Sequence, residues 1–417
     1  MSLYTVLSIV IALAAVFSYV NYRFFKLPPT IGVTVIALTL SVALIVSGRL
    51  GLQAQGTIAF VRRIDFPSLV LEGMLSLLLF AGSLAVDPEA LAGQKLSVTV
   101  LATVGVLVST AFVGAVTWWL ARATGLSLSL PESLLFGAIV SPTDPIAVIG
   151  VLRAAGAPKS LDALMAGEAL FNDGVAIALF AVLLPLAASP AVGGLDMSSV
   201  GLVFAREIVG SIALGVALGW VVLRLLRSVD DYQLEVLLTL GLALGLYSLA
   251  AALNTSGPLA VVVAGLLVGS RGRSEAMSAS TQHHLDVFWM LVDEILNVLL
   301  FVLVGFELLV VPVTGVLLVV GAAALVLVIV VRAIAVAATV AALARLETFP
   351  PHSVKILTWG GLRGGLSIAM ALSLGPRVAS RHALQAITYV VAVGSIALQG
   401  LTFGPLVRAT KGGPTKG

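Results

Sequence analysis

The chain has 417 residues, of which 59% are hydrophobic and only 10% are charged, with a formal net charge of +3 and no cysteine. Soluble globular chains carry about 25% charged residues, so this composition excludes a soluble protein, whose surface so few charges would not cover. It also excludes a disordered chain and a disulfide scaffold. The small net charge, without any run of Lys or Arg, argues against a nucleic-acid binder. A polytopic α-helical membrane protein remains.

Thirteen apolar blocks follow one another along the chain, most of them close to the roughly 20 residues that a membrane-spanning helix needs. They are too long for the alternating segments of about ten residues that build an outer-membrane barrel. We therefore predict an all-α membrane protein with about thirteen transmembrane helices. The blocks are 3–20, 31–46, 68–86, 96–120, 134–152, 163–188, 200–226, 234–253, 258–268, 288–311, 315–343, 354–374 and 384–407.

The positions of Lys and Arg between the blocks predict the orientation in the membrane. If the N-terminus lies outside, cytoplasmic segments carry about twice as many Lys and Arg residues as external ones, as the positive-inside rule requires. The first block has no basic segment before it, so we interpret it as a true helix and not as a signal peptide. We expect a multi-pass protein of the cell (plasma or inner) membrane with a cytoplasmic C-terminus.

Two blocks contain residues that break helices. The fifth contains Ser-Pro-Thr-Asp-Pro at 141–145, and the twelfth contains Gly-Gly-Leu-Arg-Gly-Gly at 360–365. Proline removes a backbone donor and glycine weakens a helix, so both blocks should be interrupted. If the seventh helix is a linker, each break lies fifth in a set of six helices. This position predicts inverted repeats whose two broken helices cross at a binding site.

Ionisable residues inside membrane-spanning blocks are expensive and therefore point to function. The carboxylates at membrane depth are Glu72, Asp144, Glu168 and Asp173, and the arginines are Arg332 and Arg363. The other acidic residues of the tenth block, Asp293, Glu294 and Glu307, lie nearer its ends and could reach an interface.

The densest cluster is Gly-Glu-Ala-Leu-Phe-Asn-Asp-Gly at 167–174. Because residues four apart share a helix face, Glu168 lies with Asn172 and Ala169 lies with Asp173. Two carboxylates in one low-dielectric site cannot both stay charged without compensation. We expect an arginine to pair with Glu168, which leaves Asp173 free to alternate between a proton and a cation.

The residues of the two breaks allow more than one role. Asp144 would either cap the half-helix that follows it or belong to the ion site, and the two roles are compatible. Arg363 would neutralise the carbonyl-rich ends of the half-helices opposite Asp144. Arg332 and Arg363 both remain open as partners of Glu168.

These motifs resemble the signature blocks of the NhaP/NHE-type sodium/proton antiporters. The matching segments are 141–145, 167–174, Thr-Trp-Gly-Gly-Leu-Arg-Gly-Gly at 358–365, Asp-Glu-Ile-Leu-Asn at 293–297 and Gly-Phe-Glu at 305–307. They occur in the family's order over almost the whole chain. The resemblance implies a secondary transporter, not an enzyme, that exchanges a monovalent cation for H+ without a nucleotide, a nucleic acid or a cofactor. Na+ is the expected cation, and Li+ is a further candidate.

The resemblance also implies a homodimer with an elevator movement. Residues 1–92 (helices 1–3) and 231–312 (helices 8–10) would form a dimerisation domain. Residues 93–190 (helices 4–6) and 313–417 (helices 11–13 and a short cytoplasmic tail) would form the mobile core transport domain, and 191–230 would be linker helix 7.

Individual site residues carry over from the family by position. Asn172 and Asp173 match the Asn-Asp pair of the electroneutral branch, which implies one-for-one exchange. Glu168 matches a buried glutamate whose partner is an arginine of the eleventh helix, here Arg332. Cation and proton binding would involve Asp173, Asn172, Asp144, Thr143 and Glu72, with Asp173, Asp144 and Thr143 as direct cation ligands.

One position departs from the family pattern. Ala169 stands where many relatives have a serine, so one oxygen ligand for a hard cation is missing and must be replaced by water, Thr143 or a carbonyl. A K+/H+ or broad alkali-cation/H+ antiporter of the same fold is therefore the alternative. We also weighed an intramembrane aspartyl protease, which lacks the expected Gly-x-Gly-Asp motif, and a cation channel, which would need a repeated selectivity filter.

Overall fold

The computed structural model describes residues 3–49, 61, 64–188, 197–273, 276–312 and 314–411, and this described part is helical without any strand. Ten of its helices are long and apolar enough to cross a membrane. We number the helices after the predicted blocks. The ten are α1 Leu3–Val20, α2 Pro29–Arg49, α3 Phe66–Ala85, α4 Lys95–Ala123, α6 Lys159–Ala188, α7 Met197–Leu226, α8 Tyr232–Ala252, α10 Ala279–Phe306, α11 Gly315–Leu343 and α13 Arg381–Thr410.

The three remaining blocks form shorter helices. Helix α9 spans Gly257–Gly272. The fifth block divides into α5a (Leu130–Val140) and α5b (Ile146–Ala154), and the twelfth divides into α12a (Ser353–Trp359) and α12b (Gly365–Leu372). Both interruptions therefore lie at the proline and glycine motifs. The count of thirteen membrane crossings stays a prediction.

The described helices pack mainly within two groups. In the first, α11 packs on α4, α12a and α13, and α5a packs on α4, α6, α12b and α13. In the second group, α3 packs on α8, α9 and α10. Helix α10 also contacts α1 and α2, and helix α7 packs on α8 and α9. The groups meet where α6 contacts α3, α7 and α9, and where α12b contacts α3 and α10.

Two buried carboxylates join the α4–α6 helices to the α11–α13 helices. Glu132 closes a capping box with Ser129 at the start of α5a and also accepts the N–H of Ser380, just before α13, at 2.8 Å. At the opposite end of the helices, Glu347 follows α11 and accepts the N–H of Leu96 at 2.8 Å and that of Ser97 at 3.0 Å in the first turn of α4. Each carboxylate satisfies backbone donors that a helix start leaves free.

Candidate functional site

The interruptions of α5 and α12 lie directly against each other. The N–H of Asp144 donates to the carbonyl of Leu362 at 2.8 Å. The guanidinium of Arg363 donates to the carbonyls of Ser141 at 2.6 Å and Pro142 at 2.7 Å. Because lipid offers no hydrogen bonds, backbone groups freed by a break at membrane depth must find partners in the protein. Here each break supplies partners to the other.

Helix α13 stabilises the second break through side-chain hydrogen bonds. The hydroxyl of Ser395 accepts the N–H of Arg363 at 3.0 Å and donates to the Gln399 side chain at 2.6 Å. The amide of Gln399 then donates to the carbonyl of Trp359, at the end of α12a, at 3.2 Å. The sequence prediction missed this support. Its only signal is two polar residues four positions apart in an apolar helix, and both are buried.

Glycines allow the breaks to approach so closely. A Cβ atom added at Gly364 would overlap the carboxylate of Asp144. One added at Gly361 would lie 2.9 Å from Nε of Arg332 and 3.2 Å from the Thr143 methyl group. The first distance is shorter than real Cβ contacts and the second is tighter than most of them, so a side chain at either position would displace the residues of the candidate site.

Glu168 and Arg332 form a buried ion pair between α6 and α11. Nη2 of Arg332 lies 2.7 Å from Oε2 of Glu168, and Nη1 contacts the second carboxylate oxygen. Nη2 also reaches the carbonyl of Leu357 in α12a at 3.3 Å. The structure thus places Arg332, and not Arg363, beside Glu168. Such bidentate pairs fix orientation as well as charge.

Asn172 ties α6 to the first break. Its Nδ2 donates to the hydroxyl oxygen of Thr143 at 2.8 Å, and both residues are buried. The amide oxygen of Asn172 has no hydrogen-bond partner among the described residues. The site therefore contains a buried acceptor next to a threonine hydroxyl, both of which are oxygen atoms suitable for a hard cation.

Asp144 and Asp173 lie close enough to interact electrostatically. Oδ1 of Asp144 accepts the N–H of Ile146 at 3.1 Å, so this carboxylate caps α5b. Among the described residues, Asp173 has no hydrogen-bond partner, and neither carboxylate pairs with a Lys or Arg. Both side chains are only partly buried. Since Arg332 and Arg363 have other partners, this carboxylate pair has no fixed countercharge in the described part of the chain.

Ala169 and Glu72, two further residues of the predicted site, differ in their position relative to Asp144 and Asp173. Ala169 lies one turn before Asp173 on the same partly exposed face of α6, where it offers only a methyl group. Glu72 is exposed on a π-helical turn of α3, and its electrostatic neighbour is Tyr247 of α8. That turn packs on α12b, yet within the described part of the chain Glu72 forms no hydrogen bond with Asp144 or Asp173.

The acidic residues of α10 differ from the sequence prediction. Glu307 is buried and so does not reach an interface. Asp293 is partly buried, accepts a hydrogen bond from Asn297 at 3.0 Å, and lies close enough to Asp144 to interact with it electrostatically. Of the three, only Glu294 is exposed as expected. Asp293 and Asn297 are four residues apart and therefore share one helix face. This spacing was the sequence feature that could have indicated a buried polar face.

Comparisons with known proteins agree with this architecture. The family model for the sodium/hydrogen exchanger transmembrane region matches residues 9–409. The Na(+)/H(+) antiporter NhaP of Pseudomonas aeruginosa is 43% identical over 410 residues, which is 95% of each chain. The Na(+)/H(+) antiporter NhaH of Halobacillus dabanensis is 34% identical over 344 residues, covering 82% of this chain and 83% of that one.

A solved structure shares the fold. The sodium proton antiporter MjNhaP1 from Methanocaldococcus jannaschii superimposes with a TM-score of 0.75 at 17% identity, covering 99% of this chain and all of that one. At this identity the likeness concerns the fold alone. Together with the family match, it shows that the chain is a multi-pass membrane transporter and not an enzyme. The chain belongs to the sodium/hydrogen exchanger family.

Proposed function

We propose that the chain exchanges Na+ for H+ across the membrane in an electroneutral, one-for-one cycle. The observation that carries the proposal is the pair Asp144 and Asp173, which no Lys or Arg of the described residues neutralises. Moving a bare carboxylate through the membrane barrier costs several kcal/mol. A bound proton or a bound cation cancels one negative charge of the site, so the loaded forms cross more readily than the empty form.

Asp173 is the residue at which the two ions compete. It has no hydrogen-bond partner among the described residues, whereas Asp144 caps α5b and Glu168 pairs with Arg332. Hydrogen bonds to a carboxylate favour its charged form, so Asp144 and Glu168 exchange a proton less readily than Asp173, which has no such bond among the described residues. Asp173 therefore changes its occupant most readily, with Asp144 and Thr143 as further oxygen ligands of the cation. Glu72 would contribute a more distant negative charge.

The comparisons support the choice of ions. The bacterial relatives that match most of this chain are named as Na(+)/H(+) antiporters. Na+ and H+ are therefore the transported ions in this proposal. Neither ion is a cofactor, because both are carried across.

An elevator movement is the proposed route. The core would comprise 93–190 and 313–417, the dimerisation domain 1–92 and 231–312, and the linker helix 191–230. Support comes from Glu132 and Glu347, which join the two halves of this core at opposite ends of the helices. Such ties favour movement of the core as one body. The dimer, the crossing of the broken helices, the inverted repeats and an external N-terminus are parts of the same proposal.

A second candidate is exchange of K+ or of several alkali cations for H+. Ala169 favours it, because the methyl group leaves the Asp173 face of α6 without a hydroxyl ligand. A site that completes its coordination with water holds a dehydrated Na+ less selectively, since selectivity depends on the number and rigidity of the ligands.

The test is proton movement in liposomes that contain the purified chain. Vesicles acidified inside receive Na+, Li+ or K+ outside, and an internal dye reports alkalinisation. Electroneutral exchange predicts the same rate whether the membrane potential is clamped at zero or set strongly negative. Response to Na+ with no dependence on potential is expected. A rate that follows the potential would overturn one-for-one exchange, and a larger response to K+ would select the second candidate.

A further inference from the structure

The turn between α1 and α2 is built around a buried asparagine. The end of α1 passes into a π-helical turn, Asn21–Phe25, and Lys26 then adopts a left-handed conformation with a φ of 53°. Nδ2 of Asn21 donates to the carbonyl of Leu27 at 2.9 Å, and its Oδ1 accepts the N–H of Leu27 at 3.3 Å. These bonds fix the turn in one shape.

A cavity of about 670 Å³ opens beside this turn, and Ser18, Tyr22, Arg23 and Lys26 are among the residues that line it. The candidate ion site lies elsewhere, at the breaks of α5 and α12. Within the described part of the chain, no acidic side chain lies within ion-pair distance of Arg23 or Lys26. The cavity therefore presents two cationic side chains and two hydroxyl groups to whatever enters it.

Exposed aromatic side chains lie on the same segment as the cavity, and one of them, Tyr22, lines it. Tyr19, Tyr22, Phe24 and Phe25 are between 55% and 81% exposed. They lie at the end of an apolar span, Tyr4–Phe25, which is where a membrane helix meets the headgroup region. Tyrosine is enriched at that depth because its ring is apolar and its hydroxyl is polar. A ligand held here would contact both cations and the ring of Tyr22, and the other exposed rings lie on the same segment.

We propose that this cavity binds the phosphate headgroup of an anionic membrane lipid. Two cations without an acidic partner in the described part of the chain suit the negative charge of a phosphate diester, and anionic lipids attract Lys and Arg at the membrane surface. The exposed aromatic rings favour a lipid over free phosphate, since only a lipid has glycerol and acyl groups to cover them. The site is independent of the ion-binding residues, so it goes beyond the proposed exchange activity.

The position of the turn connects it with the rest of the fold. Pro29 begins α2, and Ile31, two residues later, is buried against Gly400 of α13. A Cβ atom at Gly400 would lie 3.0 Å from Ile31 Cδ1 and 3.5 Å from the side chain of Leu362, beside the break of α12. A headgroup in the cavity thus lies close to a contact between the two helix groups.

The test compares lipid retention by the unaltered chain and by Arg23→Gln/Lys26→Gln. Each protein is purified in detergent, incubated with phosphatidylglycerol or phosphatidylcholine, and analysed by native mass spectrometry and thermal unfolding. A cation beside an anionic headgroup contributes roughly fivefold in affinity, so the double variant should bind phosphatidylglycerol about 25-fold more weakly. Phosphatidylcholine should bind both proteins equally.

The matched control is Arg345→Gln/Lys355→Gln, which removes two exposed cations that lie outside the cavity. It should retain phosphatidylglycerol like the unaltered chain. If the double variant at the cavity does not fold, the single variants Arg23→Gln and Lys26→Gln should each lose about fivefold. Equal retention by cavity and control variants would overturn the proposal. Equal stabilisation by inorganic phosphate alone would overturn the assignment to a lipid.

Discussion

The side-chain amide of Asn172 donates a hydrogen bond to the hydroxyl of Thr143 at 2.8 Å and thereby connects α6 to the break in α5. Its neighbour in sequence, Asp173, has no hydrogen-bond partner among the described residues and interacts with Asp144 only through its charge. Two adjacent residues thus have opposite tasks. The neutral amide fixes the geometry, and the carboxylate next to it is left free to bind an ion.

Replacing Asp173 with asparagine should abolish exchange while leaving the fold intact. The change keeps the size of the side chain and removes the group that accepts a proton or a cation. Cation-dependent proton movement in liposomes should fall to the level of empty vesicles. The elution profile in gel filtration should not change, because no described residue donates a hydrogen bond to this side chain.

Asp162→Asn is the matched control for this experiment. Asp162 lies on the same helix, but it is paired with Arg153 at 3.0 Å near the first turn of α6. An exposed ion pair of this kind contributes at most about 1 kcal/mol, so this variant should transport normally. Exchange that persists in Asp173→Asn would contradict the assignment of the ion site.

The sequence predicted the parts of the site that depend on local chemistry. Pro142 and Pro145 predicted the position of the first break because proline cannot continue a helix. The four glycines within 360–365 predicted the position of the second. The partner of Glu168 was narrowed to two arginines by charge and to Arg332 by resemblance. Arg332 lies 164 residues away, a separation that no local pattern resolves.

Other features depended on packing that only the folded chain defines. Helical spacing placed Asp173 and Ala169 on one face, but it gave no sign that Ser395 would hold the backbone of Arg363. Membrane depth made Glu72 a candidate, yet its direction depends on the π-helical turn of α3, which adds a residue and rotates the face of the helix. The contact between the breaks likewise required the tertiary structure.

Breaking the Glu168–Arg332 pair should damage stability more than ion preference. Glu168→Gln leaves a buried arginine without its countercharge, and losing one partner of a buried pair costs about 3–5 kcal/mol. We expect a lower folded yield and a lower melting temperature for Glu168→Gln and for Arg332→Ala. The double variant Glu168→Leu/Arg332→Met should recover part of the loss, because it leaves no uncompensated charge.

One result with the Glu168 variant would contradict this structural role. A Glu168→Gln protein that folds as well as the unaltered chain but prefers another cation would mean that Glu168 belongs to the ion site. Folded yield after gel filtration and the concentration of Na+ at half-maximal rate are the two measurements that distinguish these roles.

Gly364→Ala should displace the carboxylate of Asp144. The added methyl group would overlap that side chain, and inserting a methyl group into a packed site costs about 1–3 kcal/mol. Gly150→Ala is the control, since it lies in α5b with no neighbouring atom within 4 Å of the added group. We expect transport and melting temperature to fall only for Gly364→Ala. Equal behaviour of the two variants would show that the breaks do not need this close approach.

Ala169→Ser should change the apparent affinity for the cation. A hydroxyl group one turn before Asp173 adds an oxygen ligand on the same face of α6. The concentration of Na+ at half-maximal rate should fall relative to that of K+. The control is Ala181→Ser, which makes the same change at an exposed position of α6. An unchanged half-maximal concentration for Na+, Li+ and K+ in Ala169→Ser would place this position outside the coordination shell.

Competition at Asp173 also predicts how the rate depends on pH. A protonated carboxylate cannot bind Na+. Lowering the pH on the side to which Na+ is added therefore reduces the fraction of sites that can bind the cation. Below the pKa that governs this competition, each further decrease of one pH unit should raise the apparent KM for Na+ about tenfold. Saturating Na+ should restore the maximal rate, because the cation displaces the proton. Initial rates in liposomes with the pH inside held constant measure both parameters, and a maximal rate that falls with pH while KM stays constant would rule out a shared site.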